Sequence, residues 1–450
     1  MNPKSGSLLR AAVQAAALAV ITSGFSTQIS ASGFAVTENS ASAQGNSYAG
    51  AAAAAEDAST VWFNPAGMMK LDGNQIVVAG HFIKPDSTFT NQGSTHGDGT
   101  TEILGSNGND AYAPALVPNF YWVTAISEEM KFGLGINAPF GLVSDYDDTW
   151  VGRYHGVLSD LKVVDINPSL ALQLNEKVSV GIGLNIMLVD VTLTSAIDFG
   201  AVFNSPGTID GFADLQGDNL DGIDDLAYGL NIGLMYDITP KTTLGLAYRS
   251  EVDIDVTGTA KFKVPPSAAP ILSAIPFQPS GGLEASITLP QSFSVSIAHD
   301  YGKLKVLADV TWVGWSSFDE LRIRYDDPGQ PDSVTTEDWD DIFRYSIGVD
   351  LQYSDKVTLR TGMAYDETPM PSAERTTPRI PDNNRTWLSF GATYIINPEF
   401  TVDIGYSHIF VSDTRINNTV ESSLPALEAN LEGMYESSAD ILSAQLRWNY

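Results

Sequence analysis

The chain has 450 residues, no cysteine and a formal net charge of −30 at pH 7. So acidic a composition excludes nucleic-acid binding through phosphate neutralisation, which needs lysine and arginine. The lack of cysteine excludes disulfides. Beyond the first 31 residues, no stretch offers the roughly 18 consecutive apolar residues of a membrane-spanning helix.

The N-terminus predicts a secretory signal peptide. Lys4 and Arg10 supply a basic start, residues 8–21 an apolar, alanine-rich core, and small residues then follow. We place the signal peptide at residues 1–31, with cleavage after Ser32 as the alternative. A membrane anchor is disfavoured because the apolar stretch is short. The exported chain is therefore either a soluble protein or a closed barrel that crosses a membrane with strands.

Residues 32–73 show no strand pattern. Residues 40–58 are small and alanine-rich, and a Trp62–Phe63 pair and Pro65 follow them. Small residues permit tight helical packing, and proline ends a helix. We expect this hatch segment to fold inward as a plug. The alternative, a disordered leader, is opposed by its low charge and its two aromatic residues.

From residue 74 to residue 450 the apolar pattern has a period of two, which predicts strands. In residues 343–353, for example, Phe343, Tyr345 and Ile347 alternate with Arg344 and Ser346. Fourteen candidate strands follow one another: 75–83, 117–126, 131–138, 162–174, 177–194, 226–237, 242–257, 283–299, 303–324, 343–353, 356–365, 386–396, 400–412 and 438–449.

The joins between these strands alternate between long and very short. The short joins are 127–130, 175–176, 238–241, 300–302, 354–355 and 397–399. The long joins are 84–116, 139–161, 195–225, 258–282, 325–342, 366–385 and 413–437. Outer-membrane barrels show this asymmetry and an even strand count. A soluble sandwich gives no reason to place every long loop at one end. The sequence therefore predicts an all-β transmembrane antiparallel barrel of about 14 strands.

Aromatic residues near the predicted strand ends suggest an interfacial girdle, which outer-membrane barrels carry at both membrane surfaces. These residues are Tyr121, Trp122, Trp312, Trp315, Tyr345, Trp387, Trp448 and Tyr450.

Short motifs in order along the chain resemble the FadL-type family of outer-membrane long-chain fatty acid and hydrophobic compound transporters. They are Gly33-Phe34, Gly45-x-x-Tyr48-Ala49-Gly50, Glu56-Asp57-Ala58, Asn64-Pro65-Ala66, Gly133-Leu-Gly135, Pro139-Phe140-Gly141, Trp150-x-Gly152-Arg153-Tyr154, Asn167-Pro168-Ser169, Trp312-x-x-Trp315-Ser316-x-Phe318 and Pro381-Asp382-x-x-Arg385-x-Trp387. Each motif is weak alone, but their order and spacing across the mature chain are specific.

The resemblance implies a 14-stranded barrel that is plugged by an N-terminal hatch. It also implies passive transport, in which external loops capture the cargo and an internal pocket holds it. The cargo then leaves sideways into the bilayer through a gap at a kink in the third strand. Pro139 is the candidate kink former, since proline removes a ladder hydrogen bond; an ordinary strand end is the alternative. The candidate gating residues are Phe34, Asn64, Pro65, Ala66 and Pro139.

Candidate ligand-binding residues follow from chemistry. Ile271, Leu272, Ile275 and Phe277 lie in a predicted external loop, where exposed apolar side chains usually mark an interaction site. We expect them to form a capture groove, with packing against a neighbouring loop as the alternative.

A carboxylate cargo requires a partly desolvated cation. Arg249, Arg344 and Arg360 point inward by alternation, and Arg153 lies in a loop. Pairing with lumenal Asp or Glu is the competing role for each.

No cofactor, metal site or catalytic residue is expected, and the five histidines show no metal-type spacing. Uptake of aromatic or aliphatic hydrocarbons is the main alternative function. An outer-membrane esterase, which would need a Ser and a His aligned on barrel strands, and a diffusion porin are weaker alternatives. The expected partners are hydrophobic small molecules such as fatty acids, outer-membrane lipids with lipopolysaccharide, and the outer-membrane assembly machinery. We expect a monomer in the cell outer membrane and no binding to nucleic acid.

Overall fold

The structure is a computed structural model that describes residues 33–109, 111–220, 225–268 and 278–450. The predicted signal peptide lies outside the described residues. The predicted capture residues Ile271, Leu272, Ile275 and Phe277 also lie outside them. Among the described residues, no helix is long and apolar enough to cross a membrane.

A closed antiparallel sheet dominates the chain. Within the described ranges, 20 strands form one sheet. They are β1 (Gln75–Asn91), β2 (Ala115–Ala125), β3 (Met130–Asp145), β4 (Leu158–Asn175), β5 (Val178–Asp198), β6 (Asp210–Asp218), β7 (Ala227–Thr239), β8 (Thr242–Arg249), β9 (Val252–Lys263), β10 (Ser280–Leu289), β11 (Ser292–Asp300), β12 (Leu304–Val313), β13 (Glu320–Tyr325), β14 (Ser333–Thr336), β15 (Ile342–Gln352), β16 (Val357–Asp366), β17 (Arg385–Ile395), β18 (Phe400–Val411), β19 (Thr414–Thr419) and β20 (Asn430–Asn449).

Fourteen of the described strands form the barrel wall, in the order β1, β2, β3, β4, β5, β7, β8, β11, β12, β15, β16, β17, β18 and β20. The ring closes because β20 pairs with β1 from Gln75↔Asn449 to Asn91↔Gly433. The predicted strand number and the closed antiparallel barrel are therefore confirmed.

The period-two pattern sorts side chains between the outside and the lumen. On β15, Phe343, Tyr345 and Ile347 are exposed on the outer face, whereas Arg344 and Ser346 are buried inside. An apolar outer face next to a polar lumen is the arrangement that a membrane-spanning barrel requires.

The two ends of the barrel differ. The turn end carries the short joins, for example the turns between β4 and β5 and between β15 and β16. The loop end carries the long joins, and three of these contain strands that the sequence did not predict, namely β6, β14 and β19. The strands β6, β9, β10, β13 and β14 pair in a row that extends the wall beside β5. β19 pairs with β20 on the other side.

Three predicted strands are each broken into two. The expected strand 242–257 divides between β8 and β9, 283–299 between β10 and β11, and 303–324 between β12 and β13. Proline explains one break, because Pro290 lies between β10 and β11 and offers no N–H to a ladder. Another break contains a 3-10 turn, Trp315–Ser317. At each break one half of the predicted strand pairs within the barrel wall, and the other half pairs within the loop-end extension, which is the row of β6, β9, β10, β13 and β14.

The aromatic girdle prediction was wrong for three residues. Tyr121, Trp315 and Trp387 are fully buried and face the interior. Their neighbours on the outer face, such as Trp122 and Trp448, do lie at the turn end, where Trp122 Nε1 donates to the Tyr450 hydroxyl. Strand-end position alone did not separate the two faces, because one residue of shift reverses the direction of a side chain.

The hatch segment lies inside the ring of strands. It consists of the short helices α1 (Ala41–Gln44), α2 (Ala51–Ala54) and α3 (Thr60–Phe63) and the 3-10 helix Pro65–Lys70. A further short helix, α4 (Phe199–Val202), follows β5 at the loop end, and a 3-10 helix, Pro425–Leu427, precedes β20.

The hatch segment winds once around the lumen, against the order of the strands. Wall glycines permit this contact, because a Cβ on each of them would collide with the hatch segment. The pairs in order are Gly405 with Ala41, Gly391 with Gly45, Gly362 with Asn46, Gly245 with Ala52, Gly233 with Asn64, Gly181 with Ala66 and Gly133 with Met68. The hatch segment therefore touches β18, β17, β16, β8, β7, β5 and β3 in turn.

Candidate functional site: two cavities and a gap in the wall

An upper cavity of about 100 Å³ lies towards the loop end. Its lining is mostly aliphatic and includes Leu142, Leu161, Val189, Val191, Leu193, Leu215, Val256, Leu283, Ile287, Leu321 and Ile323. These residues come from β3, β4, β5, β6, β9, β10 and β13, so the loop-end extension builds much of the cavity. Such a lining suits an apolar molecule, because each buried methylene group contributes about 0.8 kcal/mol.

Two ionisable residues reach the upper cavity. Burial raises the pKa of Glu337 to about 8, and its Oε2 accepts a hydrogen bond from Trp339 Nε1 at 2.9 Å. Burial lowers the pKa of Arg379 to about 10. Arg379 Nη1 donates to Ser159 Oγ at 2.8 Å and its Nη2 donates to the Thr194 carbonyl at 3.1 Å, so the guanidinium is partly occupied within the protein.

A central cavity of about 200 Å³ lies between the hatch segment and the wall. Its lining mixes apolar residues with the arginines Arg249 and Arg344 and the aspartates Asp309 and Asp366. The guanidinium of Arg249 lies 3.6 Å from the ring centre of Trp62, and Nη2 donates to the Trp62 carbonyl at 2.9 Å. Its Nη1 has no protein partner among the described residues. Arg249 therefore keeps one donor for a ligand.

Arg344 is held more firmly. Its Nη2 donates to the Ser47 carbonyl at 2.9 Å, and its guanidinium lies within 6 Å of the rings of Tyr48 and Trp387. Its Nε has no protein partner within the described ranges. Both arginines thus combine a contact to the hatch segment with an unused donor.

Phe34 lies between the two cavities. Its ring contacts four others, with ring centres 5.8 Å away for Phe140, 4.9 Å for Trp315, 5.7 Å for Phe318 and 5.9 Å for Trp339. Phe34 lines the upper cavity, whereas its neighbours Ala35 and Val36 line the central one. The aromatic cluster around Phe34 therefore separates the cavities.

Gly33 lets the chain reach this position. Its φ is +67°, which favours glycine, and a Cβ there would lie 2.6 Å from the Trp339 ring. The Gly33 amide donates to Asp382 Oδ2 at 3.0 Å, which ties the start of the hatch segment to the loop before β17.

The wall has a gap beside this cluster. The pairing of β2 with β3 ends at Phe120↔Ile136, although β3 continues to Asp145. The pairing of β3 with β4 shifts register between Asn137 and Phe140. Pro139 therefore lies in a strand irregularity and not at an ordinary strand end.

The start of the hatch segment takes the place of β2 along this edge. Val36 N donates to the Pro139 carbonyl at 2.8 Å, and Gly141 N donates to the Phe34 carbonyl at 3.0 Å. Both Pro139 and Phe140 line the central cavity. The structure thus brings together the predicted gating residues Phe34 and Pro139.

Comparison with known proteins shows which protein family this chain belongs to. The sequence profile of the family described as "Outer membrane protein transport protein (OMPP1/FadL/TodX)" matches residues 22–450. The chain belongs to this family. It is therefore an outer-membrane protein of a transport family.

Two relatives of the OMPP1/FadL/TodX family show the extent of the similarity. The "Long-chain fatty acid transport protein" of Escherichia coli O6:H1 is 30% identical over 413 residues, which cover 87% of this chain and 90% of that protein. The "47 kDa outer membrane protein" of Pasteurella multocida is 32% identical over 445 residues, covering 93% and 96%.

Solved structures share the OMPP1/FadL/TodX fold. A Pseudomonas aeruginosa FadL homologue has a TM-score of 0.84 at 23% identity and covers 93% of this chain and 99% of that chain. The Ralstonia pickettii toluene transporter TbuX has a TM-score of 0.60 at 20% identity and covers 87% and 94%. At these identities the likeness supports the barrel fold alone.

Other predicted site residues lie away from both cavities. Arg153 pairs with Asp210 at 2.9 Å and donates to the Leu104 and Trp150 carbonyls. Arg360 pairs with Glu56 at 2.6 Å and also faces Asp350 and Asp403. Glu56 belongs to the hatch segment, whereas Asp350 lies directly opposite Arg360 in the β15–β16 pair. Each arginine is therefore occupied within the protein.

The Asn64-Pro65-Ala66 motif fixes the hatch segment to the wall. Asn64 Nδ2 donates to the Ala52 carbonyl at 2.7 Å and to the Leu234 carbonyl of β7 at 3.1 Å. Its Oδ1 accepts from Ala66 N at 3.1 Å and begins the 3-10 helix. Pro65 also lines the central cavity.

A Ser–His pair on barrel strands was missed from the sequence. His81 Nδ1 and Ser443 Oγ lie 2.6 Å apart across β1 and β20. Ser443 Oγ also donates to Gln44 of the hatch segment. Both side chains are fully buried, and neither belongs to the lining of the two cavities. The pair therefore links the hatch segment to the wall.

Proposed function

We propose that this protein carries long-chain fatty acids or related hydrophobic molecules passively across the outer membrane. The loop end faces outward, and the hatch segment, with boundaries 32–73, closes the lumen towards the periplasm. Cargo enters the upper cavity, passes the aromatic cluster around Phe34 and reaches the central cavity. It then leaves sideways into the bilayer between β2 and β3. The family relationship and the fatty acid transport relatives support this reading.

The single observation that carries the proposal is the edge of β3 beyond Ile136, which lies beside the central cavity and pairs with the hatch segment and not with β2. A continuous sheet would leave the cargo no way through the wall, because every backbone group would be paired with a neighbouring strand. Here β3 beyond Ile136 pairs on one side with the start of the hatch segment. Displacing that segment would open the cavity to the bilayer without breaking a barrel strand.

Arg249 is the proposed anchor of a carboxylate. It lines the central cavity and retains the unpartnered donor Nη1, and Trp62 shields one face of its guanidinium from water. A desolvated guanidinium binds a carboxylate more strongly than a hydrated one does. Arg344 lies in the same cavity and is the second candidate.

The test measures binding of oleate and of toluene to the purified barrel, after lipid extraction and native mass spectrometry have identified any co-purified apolar molecule. We expect Arg249→Met to weaken oleate binding about tenfold, the loss of one charge-assisted hydrogen bond. Toluene binding should not change. The matched control is Arg415→Met, which removes an exposed arginine that pairs with Glu432 at 3.5 Å outside the cavities. Equal oleate affinity in all three proteins would reject Arg249 as the anchor.

Uptake of aromatic or aliphatic hydrocarbons is the second candidate function. The aliphatic lining of the upper cavity favours it, since a hydrocarbon would need no charged anchor. Binding of toluene without binding of oleate would establish this alternative. Free ion conductance through the wild-type protein in a planar bilayer would instead indicate a porin.

We propose no catalytic step, and a chromogenic ester should show no turnover above buffer. The remaining partners stay predictions. They are outer-membrane lipids with lipopolysaccharide, the outer-membrane assembly machinery, and a monomeric state.

A further inference from the structure

Four polar side chains form a seam across the lumenal face of neighbouring wall strands. The polar seam consists of Asn137 on β3, Asp165 on β4, Asn185 on β5 and Asn231 on β7, each at most 2% exposed. Asn137 lies opposite Asp165, and Asn185 Nδ2 donates to Asp165 Oδ2 at 2.8 Å. Asn231 lies opposite Arg249 on β8. The seam therefore runs from Arg249 to the β3 irregularity.

The polar seam is under-satisfied. Six of its polar atoms, counted with Arg249, lack a hydrogen bond of good geometry within the described residues, although the Asn137 amide lies close enough to the Asp165 carboxyl to interact with it. They are Asn137 Nδ2 and Oδ1, Asp165 Oδ1, Asn185 Oδ1, Asn231 Nδ2 and Arg249 Nη1. Buried polar groups are nearly always hydrogen-bonded, and a cluster of exceptions requires a polar occupant. Structural packing alone would be served better by apolar side chains.

The opposite side of the lumen shows what a purely structural contact looks like. There Gln445 Oε1 accepts a hydrogen bond from the Ala41 amide at 2.9 Å, and Gln445 Nε2 donates to Asp57 Oδ2 at 2.7 Å. Ser389 bonds to both Ser47 and Ser407 at 2.7 Å. The hatch segment satisfies these wall residues with its own atoms. Within the described residues, no hydrogen bond joins the hatch segment to the four seam side chains, although unpartnered buried atoms also occur elsewhere on the lumenal face, for example Ser346 Oγ and Arg447 Nε.

The ends of the polar seam match the two ends of the proposed exit route. Asn231 and Arg249 line the central cavity. Asn137 is the last residue paired with β4 before the register shift, and the next two residues lead to Phe140. Asn137, Asp165 and Asn185 lie in the wall beside this cavity and not in its lining, so a molecule moving from Arg249 to the gap would meet them once the start of the hatch segment moved aside.

We propose that the polar seam is a binding track for the hydrated carboxyl head of a single-chain amphiphile as it moves from Arg249 to the gap beside β3. The inference rests on the proposed function and names its cargo class. Amide N–H groups donate to the carboxylate, and water bridges it to the amide oxygens and to Asp165. The alkyl chain stays in the apolar part of the central cavity. A hydrocarbon offers no atom to these groups, so the track serves an acid and not a hydrocarbon.

The test replaces the amides by leucine, which has a similar size. Asn185→Leu and, separately, Asn137→Leu are compared with wild type in cells that lack other transporters of this kind. Uptake of labelled oleate and of toluene is measured for each, and resistance of the barrel to SDS verifies folding. The matched control is Gln173→Leu, also on a wall strand but at the turn end, where Gln173 bonds to the turn carbonyls.

We expect oleate uptake to fall about tenfold in both seam variants, which corresponds to the loss of one charge-assisted hydrogen bond. Toluene uptake and the control should stay within about twofold of wild type. If oleate and toluene uptake fall together, or if neither falls in a folded variant, the seam is structural and the inference is wrong. Wild-type uptake of toluene without oleate would also overturn it. Wild-type uptake of neither would reject the proposed function itself.

Discussion

At its turn end the hatch segment is fixed by charge, whereas at its start it is fixed by ring contacts and a few hydrogen bonds. Glu56 pairs with Arg360 at 2.6 Å and with Lys305 at 3.0 Å. Arg360 and Lys305 hold the pKa of the Glu56 carboxyl well below its usual range, against the opposing effect of burial. Phe34 has no such partner and relies on packing. Buried ion pairs cost much to break, and ring contacts can reform in more than one arrangement.

This difference assigns two roles to one segment of chain. The charged end serves as an anchor that stays in place while cargo passes. The aromatic end serves as the part that moves. The following three changes test the division, from the largest expected effect to the smallest.

Breaking the anchor should have the largest effect. We expect Glu56→Gln to destabilise the seated hatch segment by about 4 kcal/mol, because two cations lose their buried partner. Ion conductance in a planar bilayer should rise, and the barrel should remain resistant to SDS. The matched control is Lys70→Met, which removes the more exposed Lys70–Asp237 pair and should cost under about 1 kcal/mol. Wild-type conductance in Glu56→Gln would contradict the anchor role.

Removing the movable ring should have a smaller and local effect. We expect Phe34→Ala to lower the stability of the seated hatch segment by about 3 kcal/mol, because the ring packing is lost. The amides of Val36 and Gly141 bond across the gap edge, so their hydrogen exchange should speed up about a hundredfold. Amides near Glu56 should exchange as in wild type. Phe34→Leu, which keeps an apolar side chain, should give Val36 and Gly141 exchange rates between those of wild type and Phe34→Ala. Uniform acceleration through the whole hatch segment would show that its ends do not move separately.

Titration of Glu38 should have the smallest effect. Glu38 lies between the gap edge and α1, and its carboxyl is fully buried. Burial raises its pKa to about 7, and the backbone amide of Glu38, followed by Arg385 and Arg344, opposes that rise. Tyr48 is also near, and its own pKa is raised by burial and then by Glu38.

The sign of the pH effect follows from the raised pKa. When the hatch segment is seated, Glu38 keeps its proton up to about pH 7, whereas in the released segment it loses the proton above about pH 4.5. The free energy that holds the segment in place therefore falls as pH rises from about 4.5 and levels off above about pH 7. Between pH 5 and pH 8 the loss should be about 2 kcal/mol. Exchange of the Val36 amide, corrected for the intrinsic rate, should report it, and Glu38→Gln should abolish the dependence. A pH-independent wild type would contradict the prediction.

The wall was predictable from the sequence because its signal is local. Alternation of apolar and polar residues fixed the faces of a strand such as β15, and the short turns fixed the order. The start of the hatch segment and Pro139 could also be singled out, through motifs. The sequence did not distinguish the arginines that line a cavity from those that pair with carboxylates. In the sequence, Arg249 and Arg360 both occupy inward positions of their strands. In the structure, however, Arg360 pairs with Glu56, which lies 304 residues away in the chain. No local pattern contains that partner.

The polar seam did leave a local signal that was overlooked. Asparagine follows an aliphatic residue in the middle of four wall strands, as Ile136-Asn137, Ile166-Asn167, Leu184-Asn185 and Leu230-Asn231. Three of these asparagines belong to the polar seam, and Asn167 donates to one of them, Asn231 Oδ1, at 2.8 Å. The repeat places amides at similar depth on neighbouring strands. Sequence could suggest a polar row on the lumenal face. It could not show that the hatch segment would leave the row unsatisfied, because that depends on packing between distant residues.

The winding of the hatch segment around the lumen has a consequence for the evolution of barrel size. Each glycine contact allots a fixed stretch of hatch residues to one or two wall strands, and the series runs from Gly405 to Gly133. Inserting or deleting a hairpin would change the circumference and shift every later contact out of step. The length of the hatch segment is thus matched to the circumference of the ring. Barrels of this kind are expected to vary freely in their loops but to keep their number of wall strands.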